Sequence, residues 1–238
     1  MLVKNWMSRN VISVSINDAM DHAIRLMKEH RIKMLPVLDK GAIVGVVTDR
    51  DLKRASASDA TTLEIHELLY LISRIRMRDI MSRDPVTVPL DYTIEETAKI
   101  LLQKNISGVP VVDHDNRLVG VITQTDLFRV LIALTGYGKK GVQFGFEVDD
   151  RPGSIKELAD IFREFGGRLA SILTSYEQVP EGRRKVYVRA YGIDRETIGG
   201  LKQRLQEKAA LLYMVDHREN RREIYDDSPA QGRTGGEQ

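Results

Sequence analysis

The apolar positions of the first 135 residues run through the same order twice. A short β-type run comes first, Val11-Ile12-Ser13-Val14 in one stretch and Val86-Thr87-Val88 in the other. A segment of helical period follows each; in the second, Ile94, Ala98, Leu101 and Asn105 recur on one side, the spacing of an amphipathic helix. Thr93 and Glu96 stand at its start as a capping box, in which each side chain satisfies the other residue's backbone N–H. Two apolar strands come next, residues 34–38 and 43–47, joined by Asp39-Lys40-Gly41. Their counterparts are residues 109–112 and 118–122, joined by Asp113-His114-Asp115-Asn116, a turn-rich link between apolar runs. A closing helix starts at Thr48 or Thr123. The pattern predicts two β-α-β-β-α units.

The last third is patterned differently. After the glycine- and lysine-bearing link at 136–140, Val142, Phe144, Phe146 and Val148 alternate with other residues as in a half-buried strand. Asp150-Arg151-Pro152-Gly153-Ser154 turns into a helix with Ile155, Leu158, Ala159, Phe162 and Phe165 on one face, ended by Gly166-Gly167. Strands at 169–176 and around Val186, Val188 and Ala190, a helix opened by Asp194, and a strand at 210–215 complete a β-α-β-β-α-β order, that of a ferredoxin-like unit. The fold class is α/β (α+β): a repeat pair over 1–135 (1–55, insert 56–76, 77–135), the link, a second domain over 141–216, and a disordered tail over 217–238. In the insert, Ile65, Leu68, Leu69 and Ile72 form an apolar stripe that closes the pair's core or joins a dimer seam.

The two units also share their wording. Gly45-Val-Val-Thr48-Asp-Arg-Asp51-Leu52 returns as Gly120-Val-Ile-Thr123-Gln-Thr-Asp126-Leu127, and Met7-Ser8-Arg9 returns as Met81-Ser82-Arg83. A period of about 75 residues present in two copies is a pseudo-symmetric pair and not a solenoid.

Composition narrows the function classes. The 238 residues contain no cysteine, which excludes disulfides and thiolate metal sites. The histidines are scattered, and His66 beside Glu64 and Glu67 lacks a second histidine one turn away, so no metal site is expected. A net charge of +2 gives no prior for nucleic acid. The basic run Arg183-Arg184-Lys185 with Arg189 has acidic neighbours and no reading helix, and reads as solvated strand residues. No apolar run is long enough to span a bilayer, and the expectation is a cytoplasmic protein.

Thr48-x-x-Asp51 and Thr123-x-x-Asp126 each stand where a strand gives way to a helix. One reading is a helix cap, with Thr accepting from a first-turn N–H and Asp reaching back. The other uses the same geometry for a ligand: helix N–H groups and the hydroxyl meet a phosphate, and the carboxylate accepts from vicinal ribose hydroxyls. Arg50, Lys53 and Arg54 make the first copy the richer in phosphate donors, unless they are a solvated face.

With its doubled Met-Ser-Arg lead-in, Ile-x-x-x-Pro-Val-x-Asp strand and Gly-h-h-Thr-x-x-Asp-Leu motif, residues 1–135 resemble the CBS-domain pair, the tandem module that binds adenine nucleotides. The resemblance implies two clefts about a pseudo-twofold axis. It implies that Thr48, Asp51, Thr123 and Asp126 contact phosphate and ribose, with Arg50 and Thr125 between them. It places adenine near Lys33, Met34, Leu35 and Pro36 and near Ser107, Gly108, Val109 and Pro110, with Ser13 and Thr87 at the early-strand position.

The strand-Asp-Arg-Pro-Gly-helix order of 141–216 resembles the ACT domain, a regulatory module that binds amino acids and associates through its sheets or helices. That implies a ligand region at Asp150, Arg151, Pro152, Gly153 and Ser154 with Arg168 and Leu169, or a purely dimerising role. The whole order resembles the acetoin utilisation protein B group of bacterial regulators. The expected function is a non-catalytic sensor: an adenine nucleotide (AMP, ADP, ATP) or S-adenosylmethionine as regulatory ligand and no catalytic cofactor, an amino acid or a homodimer contact at the second domain, and an unidentified regulated protein. Against an enzyme, the sites offer Thr and Asp but no histidine or lysine base paired with a nucleophile, and the chain has no cysteine. The alternative is a structural scaffold in which both Thr-x-x-Asp pairs are only caps.

Overall fold

The structure is a computed structural model and describes residues 1–58 and 72–225. It divides into two compact units, Met1–Arg129 and Val130–Gln238. The division falls inside the helix Gln124–Leu134, ahead of the expected link at 136–140.

The first unit begins with β1 (Val14–Ser15), α1 (Met20–His30), β2 (Met34–Asp39), β3 (Ala42–Thr48) and α2 (Asp49–Ser58). It continues with α3 (Met77–Ile80), β4 (Ser82–Arg83), β5 (Val88–Pro89), α4 (Ile94–Lys104), β6 (Gly108–Val112), β7 (Leu118–Thr123) and α5 (Gln124–Leu134). In each repeat a two-residue strand runs parallel to the next, with Val14 opposite Val37 and Val88 opposite Val111, and an antiparallel hairpin follows. The early strands are shorter and later than expected, so Ser13 and Thr87 precede them. After Val14 and Ser15 the chain turns at once, because the Asp18 carboxylate accepts from the Ser15 N–H at 2.7 Å.

The capping box of α4 is formed: Thr93 Oγ1 accepts from the Glu96 N–H at 3.2 Å and a Glu96 oxygen accepts from the Thr93 N–H at 2.8 Å. Its buried positions are Ile94, Thr97 and Leu101. Thr97 takes the inward place, its hydroxyl donating to the Thr93 carbonyl at 3.0 Å. Asn105 is a terminator and not part of the apolar face: it caps the helix at φ 51°, a left-handed conformation that asparagine tolerates.

The segments that lead into the repeats change places. Ser8 pairs with Val121 of β7, and the Val3 N–H donates to the Tyr92 carbonyl at 2.8 Å. Conversely, β4 pairs with β3, setting Arg83 opposite Gly45 and Ser82 opposite Val46. Each Met-Ser-Arg stretch therefore completes the other repeat's sheet, and the repeats as spatial units do not begin at residues 1 and 77. The first repeat's core is Val14, Met20, Ala23, Met27, Leu35, Val37, Val47, Leu52 and Met77, with Ile72 and Ile75 packed against it. The rest of the expected insert helix, with His66, lies outside the described residues.

The second unit contains β8 (Val142–Asp149), α6 (Ser154–Glu164), β9 (Arg168–Ser175), β10 (Arg183–Tyr191), α7 (Ile198–Gln206), β11 (Ala210–Asp216) and β12 (Arg221–Ile224). The sheet order is β12-β11-β8-β10-β9 and every pairing is antiparallel. Val142, Phe144, Phe146 and Val148 join Val186, Val188, Ala190, Leu158, Phe162, Leu201 and Leu205 in its core, as their alternation predicts. Residues 217–225 are not disordered as expected: β12 extends the sheet by pairing with β11, and Arg218 holds Asp216 at the turn. Arg189 is also not a solvated strand residue. It is 3% exposed, donating from Nε to the Thr135 carbonyl and from Nη2 to Gln143 Oε1, each at 2.7 Å. Arg184 is likewise drawn in, toward Ser154 and Asp150.

Candidate functional site

The hairpin registers bring the expected residues of each repeat to one place. Met34 lies opposite Thr48 and Gly108 opposite Thr123. The Asp49 N–H, first in α2, donates to the Lys33 carbonyl at 3.0 Å, and the Gln124 N–H, first in α5, donates to the Ser107 carbonyl at 2.9 Å. The start of the Pro-Val strand is thereby tied to the helix start in both copies. A Cβ added to Gly108 would lie 3.5 Å from the Met34 terminal methyl, so these two strand starts meet across the pair.

At each helix start the threonine and aspartate grip one another. Asp51 Oδ2 accepts from the Thr48 N–H at 2.9 Å and the Thr48 hydroxyl at 2.7 Å; Asp126 Oδ2 accepts from the Thr123 N–H at 2.9 Å and the Thr123 hydroxyl at 2.7 Å. The hydroxyls accept in return from the aspartate N–H groups, at 3.3 and 3.4 Å. The cap is therefore present in both copies. It also fixes a nearly buried carboxylate in one rotamer, since the aspartate side chains are 12% and 8% exposed.

The second carboxylate oxygen takes an arginine. Arg54 Nη2 donates to Asp51 Oδ1 at 2.7 Å and Arg129 Nη1 donates to Asp126 Oδ1 at 2.8 Å. Of the three cations expected to serve phosphate in the first copy, Arg54 thus faces Asp51 and Lys53 lies 3.4 Å from Asp49. Arg50 and Thr125 are exposed. The paired arginines were legible as an i,i+3 spacing from each aspartate, a helical neighbour distance. Gly45 and Gly120 carried no such local signal: a Cβ on Gly45 would lie 2.7 Å from Met81 Sδ, and one on Gly120 would collide with Met7 Sδ. Only the exchanged lead-ins explain them.

In the second unit the expected ligand region does not assemble within one chain. Asp149 lies opposite Arg183 at one end of β10, and Arg168 lies opposite Tyr191 at the other, about 26 Å away at the rise of a strand. At the Asp150–Ser154 turn, Gly153 adopts φ 92° to start α6, Arg151 forks onto Glu157 at 2.8 and 2.9 Å, and Arg184 donates to the Ser154 hydroxyl at 2.9 Å. Leu169 packs on the core and Arg168 is exposed. A surface cleft in this unit is lined by Arg195, Ile198, Lys202, Met214 and Glu223 among others. Its cations are already matched, Lys202 to Glu223 at 3.0 Å and Arg195 to Glu219 at 3.2 Å. Among the described residues no three His, Asp or Glu side chains cluster as metal ligands, and no helix is long and apolar enough to cross a membrane.

Comparison with known proteins agrees with this division. The CBS domain model matches residues 3–58 and 77–133. A CBS domain-containing protein of Dictyostelium discoideum is 33% identical over 132 residues, 55% of this chain and 91% of that protein. The inosine-5'-monophosphate dehydrogenase of Korarchaeum cryptofilum is 34% identical over 125 residues, 52% of this chain and 23% of that protein. Among solved structures, a CBS domain pair in complex with 5'-methylthioadenosine and S-adenosyl-L-methionine is 30% identical with a TM-score of 0.48, covering 55% of this chain and 95% of that one. CBSX2 in complex with AMP is 31% identical with a TM-score of 0.46, covering 55% of this chain and 96% of that one. By the first of these relatives and the doubled match to the domain model, the chain belongs to the CBS-domain proteins and carries its CBS pair in the N-terminal half.

Proposed function

We propose that the CBS pair is a regulatory sensor of adenine nucleotides or S-adenosylmethionine, one ligand in the cleft at each Thr-x-x-Asp. The observation that carries the reading is the recurrence of one geometry in two copies: a fixed carboxylate beside helix N–H groups, tied through the Lys33 or Ser107 carbonyl to the start of the Pro-Val strand. That arrangement offers a carboxylate to ribose and a helix N-terminus to phosphate, and the adenine class follows from the CBS family. Each Thr hydroxyl is held on its own Asp carboxylate as part of the helix cap, at 2.7 Å in both copies, and in this reading the ligand acts by binding. It shifts the arrangement of the repeats only insofar as it binds one arrangement better.

The second unit serves, in this reading, as an ACT-like module. Its Asp150–Ser154 turn and its Arg168-Leu169 strand start are separated within one chain, so an amino-acid site built from both requires two chains, and dimerisation and ligand binding become one event. Calorimetric titration with AMP, ADP, ATP and S-adenosylmethionine tests the first part, using the unaltered protein, Asp51→Ala and Asp126→Ala. Saturable binding that each substitution removes from one cleft is the expected result. No binding to the unaltered protein would leave two helix caps in a scaffold, a reading favoured by the fact that each aspartate is already engaged by its own repeat.

A further inference from the structure

We propose that Arg54 and Arg129 compete with the ligand's sugar for Asp51 and Asp126, and so set how strongly each cleft distinguishes a ribonucleotide from its 2'-deoxy form. The inference rests on the nucleotide reading above. A carboxylate has about four acceptor positions. On Asp51, Oδ2 has both filled by the Thr48 N–H and hydroxyl, at 2.9 and 2.7 Å, and Oδ1 has one filled by Arg54 at 2.7 Å. Asp126 is filled in the same way by Thr123, at 2.9 and 2.7 Å, and by Arg129 at 2.8 Å. One position is left in each copy, enough for one hydroxyl, whereas a ribose presents two.

The members of each pair differ in freedom. The arginine side chains are 79% and 68% exposed and the aspartates 12% and 8%, so the guanidinium is the group that leaves. With its cation mostly in water, the pair is weak enough to be displaced, and the departing guanidinium returns to water. With the arginine in place the cleft reads one hydroxyl; with it displaced, both. The occurrence of the same i,i+3 pairing in two copies whose neighbouring residues differ, Asp49-Arg50 against Gln124-Thr125, argues that the pairing serves the site and not one local surface.

The test is calorimetric titration of the full chain, Arg54→Met and Arg129→Met with AMP and with 2'-deoxy-AMP, each variant's folding verified by circular dichroism. In each variant the ratio of AMP to 2'-deoxy-AMP affinity at the altered cleft should rise by about two- to fivefold, the worth of an ion pair whose cation is solvated. Taking the ratio cancels any general effect of the lost charge on the phosphate. Equal weakening of both ligands makes the arginine a phosphate contact and overturns the inference, as does an unchanged ratio. If the unaltered protein binds neither AMP nor S-adenosylmethionine, the nucleotide reading itself falls, and the competition with it.

Discussion

Met81 lies so close over Gly45 that a Cβ on the glycine would come within 2.7 Å of the thioether sulfur and 2.9 Å of the Ser82 carbonyl oxygen. The contact exists because the lead-in of one repeat finishes the sheet of the other. Gly45→Ala should destabilise the first unit by about 1–3 kcal/mol, the usual cost of overpacking. Denaturant unfolding checks it, and the loss should be smaller in a Met81→Ala background, since a flexible side chain that is absent cannot be displaced. An equal loss in both backgrounds would place the strain on the Ser82 carbonyl alone.

The caps at the two helix starts should have equal worth, because their three hydrogen bonds agree within 0.1 Å between copies. Thr48→Val and Thr123→Val should each cost about 1 kcal/mol, with serine at either position retaining most of it. Thermal or denaturant melts of the four variants suffice.

Arg189 is a buried cation held by two neutral oxygens, the Thr135 carbonyl and Gln143 Oε1. Its ring neighbour is Tyr137, 5.5 Å from the guanidinium carbon. Arg189→Met should lower the stability of the second unit by about 1–3 kcal/mol by leaving Gln143 without its donor. Arg189→Lys should recover little, since one ammonium cannot reproduce the planar fork. Full recovery by lysine would mean that charge alone matters there.

Acid should weaken the second unit in two stages. Burial, with Arg189 and Arg222 nearby, holds the His217 imidazolium below its ordinary value of 6.5. The unfolded chain then takes up a proton that the folded one refuses, so stability starts to fall as pH drops below about 6.5 and keeps falling until the folded histidine titrates. Arg218, bonded to Asp216 at 2.7 Å, holds that carboxyl below its ordinary 3.8. Its contribution is whole above that value and is lost as pH falls through the folded one. Melting temperature measured from pH 8 to 3 should show both limbs. His217→Gln should flatten the upper, and Asp216→Asn the lower, at a cost of about 1–3 kcal/mol at neutral pH.

What the chain's wording determined by itself is what neighbours along the backbone decide. The two β-α-β-β-α units, the Thr93 and Glu96 box, the Thr-x-x-Asp caps and the alternating core of β8 depend on period and on i,i+3 contacts, so they were legible. Asn105 misled because its spacing fits a helical face, while its tolerance of positive φ makes it a terminator. The exchange of the Met-Ser-Arg lead-ins, the need for Gly45 and Gly120, the burial of Arg189 and the pairing of residues 221–224 join positions far apart in sequence. The tertiary structure alone decided them, because a strand edge or a buried acceptor can be satisfied by any segment that folding brings within hydrogen-bond reach, and no local pattern names which one.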